Sequence, residues 1–325
     1  MKEIRFGIAG PGIIANKFAK AIGNVEGATL SAVASRDRRR GEAFAKTYNI
    51  PLVFDSYEEM AKSDAVDAVY VSTAHPFHKG CAELFLKHKK HVLCEKPLCV
   101  NAKEGEALCK TAKENGVFLM EAMWTRFIPA VIELEKTVKS GEIGEVLDIR
   151  ADFCYAIGPE EEEKLFQNRM AGGSLLDVGV YGLHFVSLFF GSNPLSVKAA
   201  GKVEDGVDLH TKVLLSYEGG KTASVSSAIS LLKPEDAYIY GTKGYIHIPA
   251  FYGANSFTVY KDGIGKPIEN PSIGEGFEEE IIEVCKCIRE SRTESDRLPH
   301  SETLRILSLM DEIRKQIGVS YKADF

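Results

Sequence analysis

A single tryptophan stands among 325 residues, and no unbroken apolar run approaches the roughly 18 residues of a membrane span. Internal repeats and low-complexity tracts are missing, which excludes a solenoid or a disordered linker. Positive charge is not in excess: 40 Lys and Arg face 46 Asp and Glu, a net charge of -6, which argues against a nucleic-acid binder. The seven cysteines are an odd number and form no C-x-x-C knuckle, so the ligand spacing of structural zinc is lacking. Several sit in apolar runs and read as reduced thiols filling the core of a cytoplasmic protein. The N-terminus enters a strand-like segment directly, without the pattern of a signal peptide.

What is present is ordinary for a globular chain, 45% hydrophobic and 26% charged, and long enough for two domains. Ile4 to Ala9 form an apolar run that breaks at Gly10-Pro11-Gly12, and Ile14, Phe18, Ala21 and Ile22 follow at helical spacing. Strand and helix signals then alternate through "ATLSAVASRD", "RRRGEAFAKTY", "DAVYVSTAH", "HKGCAELFLKH" and "HVLCEKPL". Asn101 and Glu104 have the form of a capping box for a helix closed at Asn115-Gly116, and "VFLMEA" supplies another strand. This alternation predicts a doubly wound α/β domain with a parallel sheet over residues 1–121. After Trp124 the period changes. "VLDIRADFCY" alternates apolar and polar, and Glu218-Gly219-Gly220 joins two strand-like runs as a hairpin. Two amphipathic helices end the chain, so residues 122–325 read as an α+β domain on a large, mostly antiparallel, open-faced sheet.

Three motifs carry chemistry. Gly10-x-Gly12-x-x-Ala15 lies between strand and helix, where a dinucleotide pyrophosphate meets the helix N-terminus; an ordinary βα turn is the plainer alternative. At the end of the second strand, an NAD enzyme places an acid for the ribose 2′-hydroxyl. Here Ser35-Arg36 arrives, followed by Arg38, Arg39 and Arg40, which points to NADP rather than NAD because arginine pairs with a 2′-phosphate. Asp37 is expected in the loop beyond. Glu95-Lys96-Pro97 and Thr73 to His78 fall at carboxyl ends of parallel strands, where ligands bind. Lys96 can stabilise a developing alkoxide, and the proline can hold the turn through a cis bond. The third motif, "GGSLLDVGVYGLH", puts Asp177, Tyr181 and His184 on one helix face. Alone, it reads as a packed helix with His184 facing the core.

GIAGPGIIA at the start, VLCEKP at 92–97, GGSLLDVGVY at 172–181 and the late IYGTKGYIHIP together resemble the glucose-fructose oxidoreductase / inositol dehydrogenase (Gfo/Idh/MocA) family over nearly the whole length. HPFHK at 75–79, VLCEKPLCVNA and LMEAMWTRFIPA are most similar to its dimeric dihydrodiol dehydrogenase branch, which also oxidises D-xylose with NADP. The resemblance implies a Rossmann domain, a substrate domain with an open sheet, a catalytic Lys96, and Trp124 and Arg126 near the cofactor. Many members carry Asp-x-x-x-His where this chain has Asp177 and Tyr181, a departure that argues against inositol as substrate.

The expected protein is therefore an NADP-dependent dehydrogenase of a small sugar, polyol or cyclic diol. Tyr181 takes the hydroxyl proton, Lys96 binds the same oxygen and helps lower the tyrosine pKa, and Asp177 orients substrate or lysine. Gly10, Gly12, Ile13, Ile14, Ser35, Arg36, Thr73, His78, Glu95, Lys96, Trp124 and Arg126 are assigned to the cofactor, and Trp124, Phe153 and Tyr181 to the substrate. No metal, nucleic acid or membrane is expected. A homodimer is expected through the sheet face that carries Thr222, Ser224, Ser226 and Ala228. The rival reading is a non-enzymatic NADP-binding sensor, which binds cofactor without turnover and leaves the Lys96–Tyr181 pair unexplained. A glycosidase that uses its nicotinamide transiently would retain cofactor and need no added oxidant.

Overall fold

A computed structural model describes residues 3–160 and 162–325. Two compact units emerge, Met1–Trp124 with Ile273–Leu304, and Thr125–Ser272 with Arg305–Phe325. The expected boundary at 121/122 lies close to this division. The expected assignment of everything after it to the second domain leaves out Ile273–Leu304, which folds with the first unit.

The first unit alternates β1 (Ile4–Ala9), α1 (Ile13–Ala21), β2 (Ala28–Ala34), α2 (Arg38–Tyr48), β3 (Leu52–Phe54), α3 (Tyr57–Lys62), β4 (Ala68–Val71), α4 (His78–Lys87), β5 (His91–Glu95), α5 (Ala102–Asn115) and β6 (Leu119–Ala122). The strands pair in parallel in the order β3-β2-β1-β4-β5-β6. The order reverses between β1 and β4, and dinucleotides bind at such switch points. Every residue of β4 is 0% exposed, as expected of a strand covered by helices on both faces. The Asn101 side chain caps α5 by accepting from Glu104 N at 2.9 Å, and Gly116 ends it at φ +64°. The short β3 and α3 escape a reading of apolar period. β3 has three residues at the sheet edge behind Pro51, and α3 is one and a half turns started by the Ser56 cap.

The second unit comprises α6 (Pro129–Lys139), β7 (Val146–Cys154), a π-helical turn Leu175–Gly179 running into α7 (Val180–Phe190), and the strands β8 (Ser196–Glu204), β9 (Val207–Ser216), β10 (Thr222–Ala228), β11 (Ala237–Gly241), β12 (Tyr245–Ile248), β13 (Ser256–Lys261) and β14 (Ile264–Glu269). They form one eight-stranded sheet in the order β14-β13-β12-β11-β7-β10-β9-β8, antiparallel except for the β7–β10 pair. Ile149, Ala151, Ala223, Val225, Ile239, Ile246 and Val259 line its buried face. There α7 packs closely: a Cβ on Gly182 would lie 2.5 Å from Val225. The stretch Asn168–Phe190, interrupted by Arg169, Asp177 and His184, is long and apolar enough to cross a membrane by length and composition alone, and 78% of its most apolar window is buried inside the protein.

Two further helices are α8 (Phe277–Arg289) and α9 (His300–Ile317). The apolar stripe Phe277, Ile281, Val284 and Cys285 of α8 is buried within the first unit, where the helix packs against α1. Amphipathicity signals that a helix needs a core to pack on, and not which core, so sequence order misassigned it.

Candidate active site

The first unit supplies a glycine turn shaped for close approach. Gly10 has φ +92°, and a Cβ there would sit 3.3 Å from the Ser72 carbonyl. Gly12 is the N-cap of α1 and offers no side-chain acceptor, so the first amides of the helix face outward for an anion. Ile13 is 78% exposed on this first turn and Ile14 half-buried. Ser35 is buried where β2 ends, and its hydroxyl accepts from Asp37 N at 3.2 Å. Asp37 caps α2 by accepting from Arg40 N at 3.2 Å, which occupies its carboxylate as a helix cap rather than a ribose ligand. Arg36 is exposed, its guanidinium 5.7 Å from the Phe77 ring centroid. Arg40 reaches back to the Pro11 carbonyl at 3.2 Å and ties the glycine turn to α2.

The carboxyl ends of β4 and β5 are joined by His78. Its Nδ1 lies 2.9 Å from the Pro97 carbonyl and its Nε2 2.8 Å from that of Thr73. Burial lowers its pKa against the pull of both carbonyls, and at 1% exposure it braces the two strand ends. The Thr73 hydroxyl oxygen is buried without a partner among the described residues, a polar atom suited to a bound cofactor. Glu95 is buried and accepts from the Tyr70 hydroxyl and from Lys96 N at 3.1 Å. The Lys96–Pro97 peptide is cis. Glu121, which sequence reading passed over, holds the following turn by accepting from Leu98 N and the Thr303 hydroxyl, each at 3.0 Å. The Trp124 indole stacks on Phe277 of α8 at 5.2 Å. One turn along α8, Glu280 is fully buried, with both carboxyl oxygens unpartnered among the described residues. Burial first, and the Glu95 carboxylate second, raise its pKa well above the ordinary carboxyl range.

In the second unit, Phe153 is the centre of an aromatic group. It stacks on Tyr252 at 4.0 Å and meets Tyr181 edge-on at 5.4 Å and Tyr155 at 6.3 Å. The Tyr155 hydroxyl donates to Asp177 Oδ2 at 2.5 Å, and that of Tyr252 to Glu235 at 3.0 Å. Burial and the Glu235 carboxylate push the Tyr252 phenol up to about 12. Asp177, Tyr181 and Phe153 are thus gathered at one place, as the sequence suggests. Tyr155 and Tyr252 were missed. Tyr155 follows Phe153 at strand period, a signal that gives its face but not its partner Asp177.

Arg126 and His184 lie deeper. Arg126 donates to His184 Nδ1 at 3.3 Å and to the Ser187 hydroxyl at 3.1 Å, and both residues are buried. Arg126 thus braces the chain after Trp124 against α7, and His184 is a core residue. Asp208 of β9 anchors the start of the π-helical turn, accepting from Leu175 N at 2.8 Å, Ser174 Oγ at 2.7 Å and Thr211 Oγ1 at 2.9 Å. Tyr321 adds a bond to the Gly172 carbonyl at 2.6 Å. Among the described residues no cluster of His, Cys, Asp and Glu could hold a metal ion.

Comparison with known proteins gives a consistent result. The model of the oxidoreductase family with NAD-binding Rossmann fold, GFO_IDH_MocA, matches residues 4–123, and that of the GFO/IDH/MocA C-terminal domain matches residues 131–247. Mouse (Mus musculus) trans-1,2-dihydrobenzene-1,2-diol dehydrogenase is 37% identical over 99% of both chains. Bacillus subtilis scyllo-inositol 2-dehydrogenase (NADP(+)) is 37% identical, also over 99% of both. Among solved structures, a 3-ketoreductase from Actinomadura kijaniata in complex with NADP and TDP-benzene superposes with a TM-score of 0.88 at 24% identity, over 98% of this chain and 99% of that one. An aldose-aldose oxidoreductase from Caulobacter crescentus gives 0.88 at 24% identity over 97% of each.

Proposed function

Because the chain belongs to the Gfo/Idh/MocA oxidoreductase family, we propose that it is an NADP-dependent dehydrogenase of a secondary alcohol or hemiacetal carbon in a small sugar, polyol or cyclic diol. The observation that carries this reading is the gathering of the Tyr181 phenol and the Asp177 carboxylate beside the Phe153 ring. A phenolate can accept the hydroxyl proton, and an aromatic face suits a ring. A relative 37% identical is named for scyllo-inositol, so cyclic polyols belong among the candidates.

Each residue has a role. The α1 N-terminus with Gly10 and Gly12 cradles the pyrophosphate, and Arg36 pairs with the 2′-phosphate. Bound NADP supplies nicotinamide C4 as hydride acceptor. Lys96 donates a hydrogen bond to the substrate oxygen and stabilises its alkoxide character in the transition state. The Tyr181 oxygen, as the phenolate, takes the hydroxyl proton. Asp177 orients the reacting groups, and Trp124 and Phe153 form apolar walls. The enzyme is further proposed to act in the cytoplasm as a homodimer; its seven cysteines, all free and buried, suit a reducing compartment.

The test is a panel of aldoses, polyols and trans-dihydrodiols with NADP or NAD, followed by absorbance of the reduced nicotinamide. Tyr181→Phe should keep NADP affinity while kcat falls about 10²–10⁴-fold. Lys96→Met should do at least as much harm, and the double variant should be little worse than either if the two act as a unit. Tight NADPH binding with no turnover across the panel would favour a sensor instead.

A further inference from the structure

We propose that Tyr155 is a positioning residue for the reaction, fixing the orientation of the Asp177 carboxylate and favouring its charged form. The inference deepens the functional reading above and rests on it for the identity of the reaction. The contact itself stands on geometry within the second unit. Tyr155 lies one residue beyond β7 and two beyond Phe153, so both rings project to the same side. Its hydroxyl donates to Asp177 Oδ2 at 2.5 Å, in the range of strong hydrogen bonds to an ionised acceptor.

Both partners are held by backbone that has little freedom. Tyr155 N donates to the Ala228 carbonyl and Ile157 N to that of Ile229, each at 3.1 Å, so β7's extension stays tied to the end of β10. On the other side, Asp208 clamps the start of the turn that presents Asp177. Fixing one carboxylate oxygen also fixes the plane of the group, and the group Asp177 serves then meets it at a set angle. Burial first, then the Asp177 charge, raise the Tyr155 pKa, so its phenol stays protonated and acts toward Asp177 only as a donor.

Among the described residues the titratable groups around the pair include Glu162 and Glu235 in the flanking loops, Tyr252 stacked on Phe153, Asp208 on β9, and Tyr181 and His184 on α7. Glu162 and Glu235 act on the Tyr155 phenol in the same sense as Asp177, keeping it protonated. Removing a donor from a carboxylate raises its pKa.

Tyr155→Phe keeps the ring beside Phe153 and deletes the donor. In protein labelled with carboxyl-¹³C aspartate, the Asp177 resonance is assigned by its loss in Asp177→Asn. Its titration midpoint should rise by about one unit in Tyr155→Phe and stay in place in Tyr252→Phe. With the best substrate, kcat/KM should fall roughly tenfold, its acid limb moving up by the same amount, while NADPH affinity by fluorescence is unchanged. An unmoved midpoint overturns the positioning role, and a moved midpoint with an unaltered pH profile overturns its part in the reaction. Absence of turnover in the wild type, by contrast, removes the proposed function while the midpoint still decides the contact. If Tyr155→Phe does not fold, the wild-type Tyr155 hydroxyl proton should appear at low field by NMR and disappear in Asp177→Asn; its persistence there overturns the proposal.

Discussion

Arg36 leaves β2 exposed, with its guanidinium over the Phe77 ring and no ion pair among the described residues. Its neighbours are committed elsewhere: Arg38 to Glu42 at 2.8 Å and Asp55 at 2.7 Å, and Arg40 to the Pro11 carbonyl at 3.2 Å. Arg36 and Arg39 keep their donors open, and Arg36, directly at the strand end, is the one proposed to meet a 2′-phosphate. Arg36→Ala should weaken NADP(H) binding by about 1.5–3 kcal/mol, toward the lower end because the site is exposed, with little change for NAD(H). Fluorescence titration with both reduced cofactors checks it; equal losses for the two would remove the specificity argument. The chemistry of this turn was legible because charge type at a strand end needs no coordinates. His78 and Arg126 were not. A histidine and an arginine close to ligand-binding segments read as contacts, and only burial and hydrogen-bond partners reveal that each also braces backbone or core. Tyr155 was hidden for a related reason. Its partner is 22 residues away in sequence, across a loop with no periodic signal.

Among the elements, α8 departs furthest from what sequence order suggests. Its apolar stripe was legible, and the choice of core was not, because that choice depends on tertiary contacts spanning some 250 residues: Asn24 donates to Glu278 at 2.9 Å. β8 and β14 were also unread. Their burial patterns are mostly exposed, as edge strands allow, so the apolar period that identifies a half-buried strand is weak. A testable consequence follows from Glu280, which α8 buries near Glu95. With a folded-state pKa raised above the unfolded value of about 4.3, this carboxyl keeps its proton in the fold at pH values where the unfolded chain has lost it. The group therefore costs nothing below pH ~4 and progressively destabilises the fold as pH rises from there toward its folded pKa. A glutamine stays neutral in both states. The Tm of Glu280→Gln relative to wild type should thus climb between pH 4 and pH 8. Parallel Tm curves across that range would mean that Glu280 does not titrate differently in the fold.

At the scale of the molecule, the exposed face of the eight-stranded sheet carries a band that is out of character for open solvent. Strand register places Tyr260, Tyr245, Tyr240, Asp148 and Thr222 side by side in one row, and Thr258, His247, Tyr238, Arg150, Ser224 and Leu214 in the next. Tyr245 stacks on Tyr260 at 4.7 Å, Tyr238 on His247 at 4.6 Å, and the Arg150 guanidinium lies 5.9 Å from the Tyr238 centroid. Tyr240 and Tyr245 remain 36% and 37% exposed and Leu214 48%. Tyrosine and arginine are the residues that supply hot spots in protein interfaces, and the part-exposed Thr222 and Ser224 of β10 beside them let a second sheet approach closely, whereas Ser226 and Ala228, expected on the same face, are already buried within the subunit. The sequence showed the small residues on β10, whereas the tyrosine band appears only when strands distant in the chain are laid in register. A homodimer through this face is the expected assembly, burying roughly 800 Å² or more per subunit. Sedimentation velocity at micromolar concentration should report the dimer for wild type. Ser224→Glu puts a long side chain beside Arg150 where the facing sheet has to pack closely, at a position whose half-exposed side chain the monomer fold tolerates. It should shift the protein to monomer with little change in Tm at matched monomer fraction. A wild type that sediments only as monomer, or a Ser224→Glu variant that stays dimeric, would place the assembly surface elsewhere or remove it.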